Sequence, residues 1–452
     1  MNYDIVKSLI QAKRYHDALT MLNDELDSNP DDPRALFFIG NIMVQQDRRG
    51  LAYNIFARCA KHWPDSAEVW VQFGRCQDDT PEGWEKSEWC FMKAIQINPN
   101  LVYPYAQMAY LETQRCQPEK AVDWARRCFE IEPDYSVAWS AIGFASLMLG
   151  DWELGWKHYD LKLGDASRPN MGYGDIPIWD GTKGKNVIVY GEQGIGDEIL
   201  FASALPDMAK DCGIVYDTMP RLARLMQRSF PTIDVVGGRW DGEIALPEDW
   251  KPDARISQAS ILQHYRKKDE DYPGKPYLAA HPGMRLQMRA LLDSLGDKPK
   301  VGIAWTGGTK RSRGHFRQKP LEDLYPLLSD DVTWVSLQYK DCSDEIDQAP
   351  VMIHHFDWIT EEKDYDPTAA LVAELDLVIT VPTSVSQLSG ALGTPCWVMV
   401  PEITGWLFSR ENYVWADSVK LYRNKPAEFM RKELERWLST ATQHSSPRSA
   451  TG

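Results

Sequence analysis

Prolines recur along the first third of the chain at a nearly constant interval. Pro30, Pro64, Pro99 and Pro133 are separated by 34, 35 and 34 residues. A fixed period of this length is typical of stacked helix pairs, each of which buries its apolar face against the next pair. The recurrence therefore predicts a helical solenoid in this part of the chain, in place of a single layered core.

Bulky and small residues recur in step with the prolines. The first helix of each predicted pair carries two bulky residues and then a small one: Leu36/Ile39/Gly40, Trp70/Phe73/Gly74, Tyr105/Met108/Ala109 and Trp139/Ile142/Gly143. A small residue in the second helix, at Ala18, Ala52 and Ala121, lets the two helices approach closely. Period and positions together indicate tetratricopeptide repeats over residues 1–165, as four repeats and a fifth, altered helix pair.

The altered pair includes the stretch 150–159, which ends without the usual proline. A terminal repeat of this kind usually caps the stack or docks on the following domain. The concave face of the array is predicted to bind a protein or peptide partner. A spacer or a dimerisation module is the alternative, so self-association is left open.

The acidic composition excludes some classes of partner. The chain has 452 residues, a formal net charge of −15, and 43% hydrophobic residues. Duplex nucleic acid and anionic membranes both require a basic protein surface, whereas a small anion requires only a local basic cluster. At this length we expect two to four domains.

The cysteines and the N-terminal sequence indicate a cytoplasmic protein. The eight cysteines form no Cys-x-x-Cys pair, and Cys59, Cys90 and Cys128 fall in apolar helical stripes. Thiols used as small core residues are typical of a reducing compartment. The first residues do not resemble a signal peptide, and no apolar run is long enough to span a membrane.

The sequence pattern changes after a linker at 166–185. Short β-rich runs follow at 187–190, 214–217, 233–236 and 243–246, and then at 300–305, 333–337, 351–355, 376–381 and 396–400. Helical stretches lie between them at 197–210, 219–229, 321–328, 367–374 and 384–392. Strands alternating with helices predict parallel sheets that are covered on both faces.

Two Rossmann-like halves are the simplest account of this alternation. The first is predicted at 186–296 and includes a polar, mostly helical connector from 255; the second is predicted at 297–440, and a disordered tail at 441–452. The expected fold class is α + α/β. In such sheets ligands bind at the carboxyl ends of the strands.

The first candidate site is the turn after the strand at 187–190. Its glycines, Gly191, Gly194 and Gly196, do not have the Gly-x-Gly-x-x-Gly spacing of a dinucleotide site. Asp197 stands at the mouth of the turn, where it would repel a phosphate but could accept a proton. Asp is also a favoured helix N-cap, so capping is the alternative role.

The second candidate site follows the strand at 300–305. Thr306, Gly307 and Gly308 form a turn, and residues 310–319 contain the cations Lys310, Arg311, Arg313, Arg317 and Lys319 with no carboxylate. A cationic loop beside such a turn suits a pyrophosphate. The alternative is an ordinary solvated basic loop.

The third candidate site opens the helix at 384–392. Hydroxyl groups of Thr383 and Ser384 at a helix N-terminus suit a phosphate, although they equally suit an ordinary cap. Metal binding is poorly supported, because the adjacent His354 and His355 point to opposite faces of a strand. The Gly-x-Ser-x-Gly turn of a Ser–His–Asp hydrolase is absent from the sequence.

These segments, in this order, resemble the GT-B glycosyltransferases of the heptosyltransferase-like group, and more closely bacterial proteins that join tetratricopeptide repeats to such a domain. The matching stretches are GDWELGWKHY (150–159), PIWDG (177–181), GEQGIGDEILF (191–201), VGIAWTG (301–307), SLQ (336–338), TAALVAELDLVI (368–379) and GALGTP (390–395). The resemblance implies a GT-B fold, with the acceptor in the first half and a nucleotide-sugar donor in the second. It also implies inverting transfer without a metal or other cofactor.

The resemblance also implies roles for individual residues. Asp197 matches the proposed base, with Gln193, Gly194 and Gly196 beside it on the acceptor side. The residues implied in donor binding are Thr306, Gly307, Gly308, Arg317, Lys319, Gln338, Thr383, Ser384 and Gln387. At the last donor loop the family usually reads Asp-Thr-x-x-x-His, whereas this chain has Pro382, Thr383 and Gln387.

The leading functional hypothesis is therefore a metal-independent, inverting glycosyltransferase. It would transfer a sugar to a protein or glycan acceptor recruited by the repeats. The altered donor loop motivates an alternative, a repeat scaffold that carries a degenerate transferase domain. A weaker third possibility is an epimerase-like use of the same fold.

Overall fold

The chain divides into two compact units, Met1–Ser146 and Leu147–Gly452. The computed structural model describes residues 1–162, 173, 175–239, 246–272, 274–308, 313–360 and 363–444. The first unit is helical, and the second combines helices with two parallel sheets. The predicted fold class, α + α/β, is confirmed at this level.

The first unit consists of successive helix pairs of the tetratricopeptide type. Its helices are α1 (Tyr3–Gln11), α2 (Tyr15–Ser28), α3 (Pro33–Gln45), α4 (Arg49–His62), α5 (Ala67–Arg75), α6 (Pro81–Ile97), α7 (Val102–Gln114), α8 (Pro118–Ile131) and α9 (Ser136–Leu149), whose last turn enters the second unit. Cys59, Cys90 and Cys128 are buried in this unit, as their positions in apolar stripes predict.

Hydrogen bonds link the recurring prolines to the recurring bulky residues. In three repeats the side chain six positions after the proline donates to its carbonyl oxygen: Trp70 to Pro64 (2.7 Å), Tyr105 to Pro99 (3.0 Å) and Trp139 to Pro133 (3.0 Å). The bond fastens the turn between two helix pairs to the first helix of the next pair. The proline and the aromatic residue therefore recur together.

Glycines in the first helix of a pair make room for a ring in the second. A Cβ atom on Gly40 would lie 2.6 Å from the Phe56 ring, and one on Gly74 would lie 2.6 Å from the Phe91 ring. Both rings are buried. The predicted packing of a small residue opposite a bulky one is confirmed at these positions.

Gly74→Ala should therefore destabilise the repeats although it improves helix propensity. The methyl group overlaps Phe91, and overpacking of this kind costs about 1–3 kcal/mol in free energy of unfolding. Gly50→Ala is the matched control, because a Cβ there meets nothing within 4 Å and an exposed helical glycine gains about 0.5–1 kcal/mol on this change. Urea denaturation of the two variants measures both values, and equal stabilisation by both would contradict the packing.

Helix α10 (Trp152–Tyr159), predicted as part of the fifth repeat, belongs to the second unit. Trp156 Nε1 donates to Tyr272 OH at 3.1 Å, and the Trp156 ring lies 5.5 Å from Trp406 and 6.4 Å from Trp415 between centroids. The two compact units divide after Ser146, whereas the repeat array is predicted to extend to residue 165.

A four-stranded parallel sheet forms the first half of the second unit, in the order β3-β2-β1-β4. Its strands are β1 (Asn186–Tyr190), β2 (Gly213–Asp217), β3 (Asp234–Val236) and β4 (Ala254–Ser257). The helices of this half are α11 (Ile195–Phe201), α12 (Leu205–Met208), α13 (Ala223–Ser229) and α14 (Leu262–Tyr265).

Two predictions for this half need correction. Strand β4 lies in the stretch predicted as a helical connector, and Ile178 of the predicted linker forms a bridge with Arg255 beside it. The helix predicted at 197–210 is divided into α11, a 3₁₀ turn and α12, because Pro206 has no N–H to continue the α-helical bonds. The strand predicted at 243–246 falls almost wholly outside the described residues.

A six-stranded parallel sheet forms the second half, in the order β10-β9-β8-β5-β6-β7. Its strands are β5 (Lys300–Ala304), β6 (Thr333–Ser336), β7 (Ile353–His354), β8 (Leu377–Thr380), β9 (Cys396–Val400) and β10 (Val419–Arg423). The remaining helices are α15 (Pro282–Asp293), α16 (Ser343–Asp347), α17 (Asp357–Thr360), α18 (Asp366–Glu374), α19 (Ser384–Leu392) and α20 (Ala427–His444).

Three details of this half also differ from the predictions. The helix predicted at 321–328 is a 3₁₀ turn at Leu321–Leu324. Strand β10 was not predicted because Lys420 and Arg423 interrupt its apolar residues, as is common in an edge strand. Helix α20 extends to His444, four residues into the predicted tail. Among the helices of the described ranges, none combines the length and apolar composition needed to cross a membrane.

Candidate active site

Each sheet reverses its strand order at one point. In the six-stranded sheet, β5 to β7 progress in one direction and β8 to β10 in the other, so that β5 and β8 are neighbours. In the four-stranded sheet β1 lies between β2 and β4. Ligands of open parallel sheets bind beyond the carboxyl ends of the strands at such switch points. The predicted donor turns follow β5 and β8, and the turn that contains Asp197 follows β1.

The turn after β5 is held by one buried amide. Gln338, which is 2% exposed, accepts bonds from the backbone N–H groups of Trp305 (3.2 Å) and Thr306 (3.4 Å). Its Nε2 atom donates to Thr306 Oγ1 at 2.5 Å. Gln338 therefore shapes the turn, and its side chain is already engaged by protein groups.

The turns after β5 and β8 are in direct contact. A Cβ atom on Gly307 would lie 2.4 Å from Thr383 Cγ2, and Gly308 has a φ of +81° that favours glycine. Thr383 caps α19, because its hydroxyl accepts the Val385 N–H at 3.3 Å. The capping role considered for Thr383 is therefore observed, and the helix it caps begins at the same edge as the Gly307 turn.

The cationic loop contributes Arg317 and Lys319 to this edge. Arg317 donates to the Pro382 carbonyl oxygen at 3.2 Å, and the Lys319 N–H donates to the Trp305 carbonyl oxygen at 3.0 Å. Burial lowers the pKa of Arg317, and the neighbouring Asp197 carboxylate opposes this change. Lys310 and Arg311 lie outside the described residues.

Asp197 lies in the first turn of α11, although not at its cap. The helix begins at Ile195 and not at Asp197 as predicted, so Gly194 is the N-cap and Asp197 is the third helical residue. Asp197 Oδ2 accepts the Gly194 N–H at 3.1 Å, the reciprocal half of a capping box. The carboxylate therefore stabilises the helix start through Oδ2.

The surroundings of Asp197 raise its pKa to about 6. Burial is the main cause; the Gly194 N–H, Arg317 and Arg239 oppose it, and Glu192 adds to it. A carboxylate with this pKa is ionised at neutral pH and is a stronger base than an exposed aspartate.

The N-terminal ends of α11 and α19 meet between the two sheets. A Cβ atom on Gly196 would lie 3.2 Å from both Ser384 Cα and Gln387 Oε1. Gln387 is buried and also accepts a bond from Ser386 Oγ at 3.3 Å. The structure thus brings the predicted acceptor-side glycine next to two of the predicted donor-side residues.

Gln193, the remaining acceptor-side residue, is tied to α10. Its Nε2 atom lies 2.9 Å from Tyr159 OH. Asp160, one residue further, accepts a bond from Ser260 Oγ at 2.6 Å. The helix that the sequence assigned to the repeats therefore supports the Asp197 turn.

Sequence reasoning missed two residues beside Asp197. Glu198 and Arg239 are 1% and 2% exposed and form an ion pair with each other. A carboxylate in the first turn of a helix normally faces solvent, so nothing in the sequence distinguished Glu198. No cluster of three or more His, Cys, Asp or Glu side chains suited to a metal occurs in the described part of the chain.

The pKa of Asp197 predicts a pH-dependent effect on stability. Because folding raises this pKa from 3.8 to about 6, the protonated carboxyl stabilises the fold, and this contribution is lost as the pH rises through 6. The free energy of unfolding of Asp197→Asn, relative to that of wild type, should therefore rise by about 1–3 kcal/mol as the pH is raised from 4 to 8.

Urea denaturation across this pH range measures the difference between the two proteins. Asp234→Asn, a change at an exposed carboxylate, is the control and should show a difference that is constant with pH. A pH-independent difference for Asp197→Asn would contradict a desolvated carboxylate.

Among known proteins, the chain is similar to a relative that matches both units. Protein FlbA of Caulobacter vibrioides (strain ATCC 19089 / CIP 103742 / CB 15) is 27% identical over 422 residues, which cover 87% of this chain and 70% of that protein. Neither unit alone contains that many residues, so the similarity extends across both. No family model matches the sequence.

Among solved structures, TPR proteins align with part of the chain. The thermophilic TPR protein TTC0263 of Thermus thermophilus covers 36% of this chain and 89% of its own, with 19% identity and a TM-score of 0.32. MamA covers 35% of this chain and 92% of its own, with 17% identity and a TM-score of 0.30. The repeat assignment itself rests on the helix pairs and their hydrogen-bonded prolines.

Proposed function

We propose that the second unit is an inverting, metal-independent glycosyltransferase of the GT-B type. It would move a sugar from a nucleotide-sugar donor to a protein or glycan acceptor. The observation that carries the proposal is the meeting of two switch points with complementary chemistry. One provides a half-buried carboxylate, Asp197, and the other provides glycine turns, a helix N-terminus and Arg317.

The donor diphosphate is proposed to lie between the Gly307–Gly308 turn and the start of α19. The positive end of a helix dipole favours a phosphate, and a glycine turn allows the backbone to approach it. Arg317, held at the Pro382 carbonyl, supplies a cation at the same edge. This arrangement supports a donor that carries charge on its phosphates.

Asp197 is proposed to act as the general base. Its ionised carboxylate takes the proton from an acceptor hydroxyl, whose oxygen forms a bond to the anomeric carbon from the face opposite the diphosphate. The bond between that carbon and the diphosphate oxygen breaks, and the anomeric configuration inverts. The proton stays on Asp197 until product release, and the electron pair leaves with the nucleoside diphosphate.

Positive groups of the protein are proposed to stabilise the departing diphosphate. A preformed cation and helix end in a site from which water is excluded lower the energy of developing charge without reorganisation. The resemblance to metal-independent transferases supports assigning this task to Arg317, Lys319 and the start of α19. The first unit is proposed to recruit the protein acceptor.

A binding panel tests the donor site. We expect one of the UDP-, ADP-, GDP- or dTDP-sugars to raise the melting temperature of the protein in a concentration-dependent way, with EDTA present. Arg317→Gln should weaken that binding about tenfold or more, because a charge-assisted bond is lost. Lys420→Gln, on the edge strand β10, is the control and should leave affinity unchanged. Failure of every donor to bind would end the proposal.

A non-catalytic scaffold is the second candidate function. It is favoured by Pro382 and Gln387, which stand where the resembling enzymes usually have a carboxylate and an imidazole. It predicts nucleotide binding without transfer or hydrolysis, together with tight capture of a protein or peptide by the repeats. Turnover of a bound donor would exclude it.

A further inference from the structure

The carboxylate of Glu198 joins the loops that follow two neighbouring strands. Its Oε2 atom accepts the Thr218 hydroxyl at 2.5 Å and the Met219 N–H at 3.1 Å, both just after β2. Its Oε1 atom pairs with Arg239, three residues after β3. One side chain of α11 therefore fixes the carboxyl edge of β2 and β3.

The loops after the other two strands converge on the same residue. After β1, a Cβ atom on Gly191 would lie 2.4 Å from the Glu198 carboxyl group, so the absence of a side chain there makes room for it. After β4, Gln258 Nε2 donates to the Glu198 carbonyl oxygen at 2.9 Å. The loops that follow all four strands of this sheet therefore contact Glu198.

Burial of the Glu198–Arg239 ion pair contributes little net stability, because both charges must be desolvated. Moving two charges out of water costs several kcal/mol per ion, and apolar residues of similar volume often stabilise a fold equally well. Burial raises the pKa of Glu198, while Arg239, Thr218 and the Met219 N–H oppose that change. What a buried pair of this kind adds over apolar packing is a fixed geometry.

That geometry bears directly on Asp197, which precedes Glu198 in the same helical turn. We propose that Glu198 is a positioning residue, which holds the first turn of α11 and so aims the Asp197 carboxylate at the acceptor hydroxyl. This inference rests on the proposed function. Glu198 itself touches no substrate, and its action passes through the backbone of α11.

Three charged groups and one backbone N–H face Asp197. Glu192 lies in the turn after β1, Arg239 after β3, and Arg317 in the cationic loop, while Gly194 donates its N–H from the helix cap. Removing Arg239 therefore takes away a cation that favours the ionised base. We expect the rising limb of the pH–rate profile to move to higher pH when the ion pair is replaced.

The test replaces the pair without leaving an unpaired charge. Glu198→Leu/Arg239→Met should remain folded but unfold at a somewhat lower denaturant concentration than wild type, because the Thr218 hydroxyl and the Met219 N–H lose their acceptor. Its kcat should fall at least tenfold while KM for the donor changes less than twofold, and its pH–rate limb should shift upward. Amide exchange in 191–201 should become at least tenfold faster. An unchanged kcat, pH profile and exchange rate would overturn the inference.

A second variant covers the case in which the double variant does not fold. Gly191→Ala keeps both charges but pushes against the Glu198 carboxyl group, and the same loss of kcat and gain in exchange are expected. Gly405→Ala is its control, since a Cβ there meets nothing within 4 Å. If Gly191→Ala behaves like this control, the positioning role is wrong.

Failure of the proposed function would be recognised separately. In that case wild type neither binds nor turns over any donor of the panel. Amide exchange of 191–201 still decides the role of Glu198 in holding the turn, because this readout does not depend on catalysis. Unchanged exchange in both variants would overturn the inference even in an active enzyme.

Discussion

Asp197→Asn is expected to lower the rate of sugar transfer by about 10²–10⁴-fold, the usual contribution of a general base. The amide cannot accept the proton of the acceptor hydroxyl. Its oxygen can still accept the Gly194 N–H that Asp197 Oδ2 now receives at 3.1 Å, so α11 should keep its start. Affinity for the donor should change little, because the proposed donor contacts lie on the other sheet.

Turnover and binding of the same donor distinguish this result from general damage. Single-turnover transfer gives the rate, and calorimetry gives the donor affinity. Asp234→Asn, an exposed position at the start of β3, is the control and should retain wild-type kinetics. Unchanged transfer by Asp197→Asn would remove the base from the mechanism, and loss of donor binding would point to a structural role.

Trp156→Ala is expected to reduce the free energy of unfolding of the second unit by about 3–5 kcal/mol, as truncation of a buried tryptophan does. Trp156 is 2% exposed, donates to Tyr272 OH, and packs edge-on against Trp406 at 5.5 Å. The variant loses a hydrogen bond and leaves a cavity among aromatic rings. This effect is large compared with the total stability of a typical domain.

Amide exchange resolved by peptide locates this effect in the full chain. Protection of β1 and α11 should fall in Trp156→Ala, because α10 supports the second unit. Trp358→Ala is the matched control, since Trp358 is 54% exposed and such changes stay within about 0.5 kcal/mol. A loss of protection confined to the repeats would mean that α10 belongs to them after all.

The sequence predicted those helices and strands that depend on contacts between residues close together in the chain. The interval between prolines predicted the helix pairs, because three of the four proline carbonyls are bonded to a side chain only six residues away, such as that of Trp70. The apolar runs predicted β1, β5, β8 and β9, which are central or buried strands. Their order then placed the predicted glycine and threonine turns at the switch points.

Long-range partners explain the errors. The bulky spacing of α10 resembles a repeat helix, but Trp156 bonds to Tyr272, more than a hundred residues away. Strand β4 reads as polar because Arg255 lies in it, and that side chain is satisfied by the Ile176 carbonyl oxygen. The sequence around Glu198 predicts a solvated carboxylate, because its partners lie in the loops after β2 and β3, far along the chain.

The part of the candidate site that the sequence predicted is the part built from turns. Thr306, Gly307 and Thr383 are recognisable because they directly follow strands. The contact of Gly196 with Ser384 and Gln387 depends on how the two sheets pack, which no local pattern encodes. The same holds for the electrostatic coupling of Asp197 to Arg317.

Release of free nucleoside diphosphate from each of the UDP-, ADP-, GDP- and dTDP-sugars, measured in EDTA, decides whether the second unit is a glycosyltransferase. A glycosyltransferase also hydrolyses its donor slowly, so the measurement does not require the acceptor to be known. We expect release from one donor by wild type, and binding without release by Asp197→Asn. Equal release by both proteins, or no binding and no release from any donor, would contradict it.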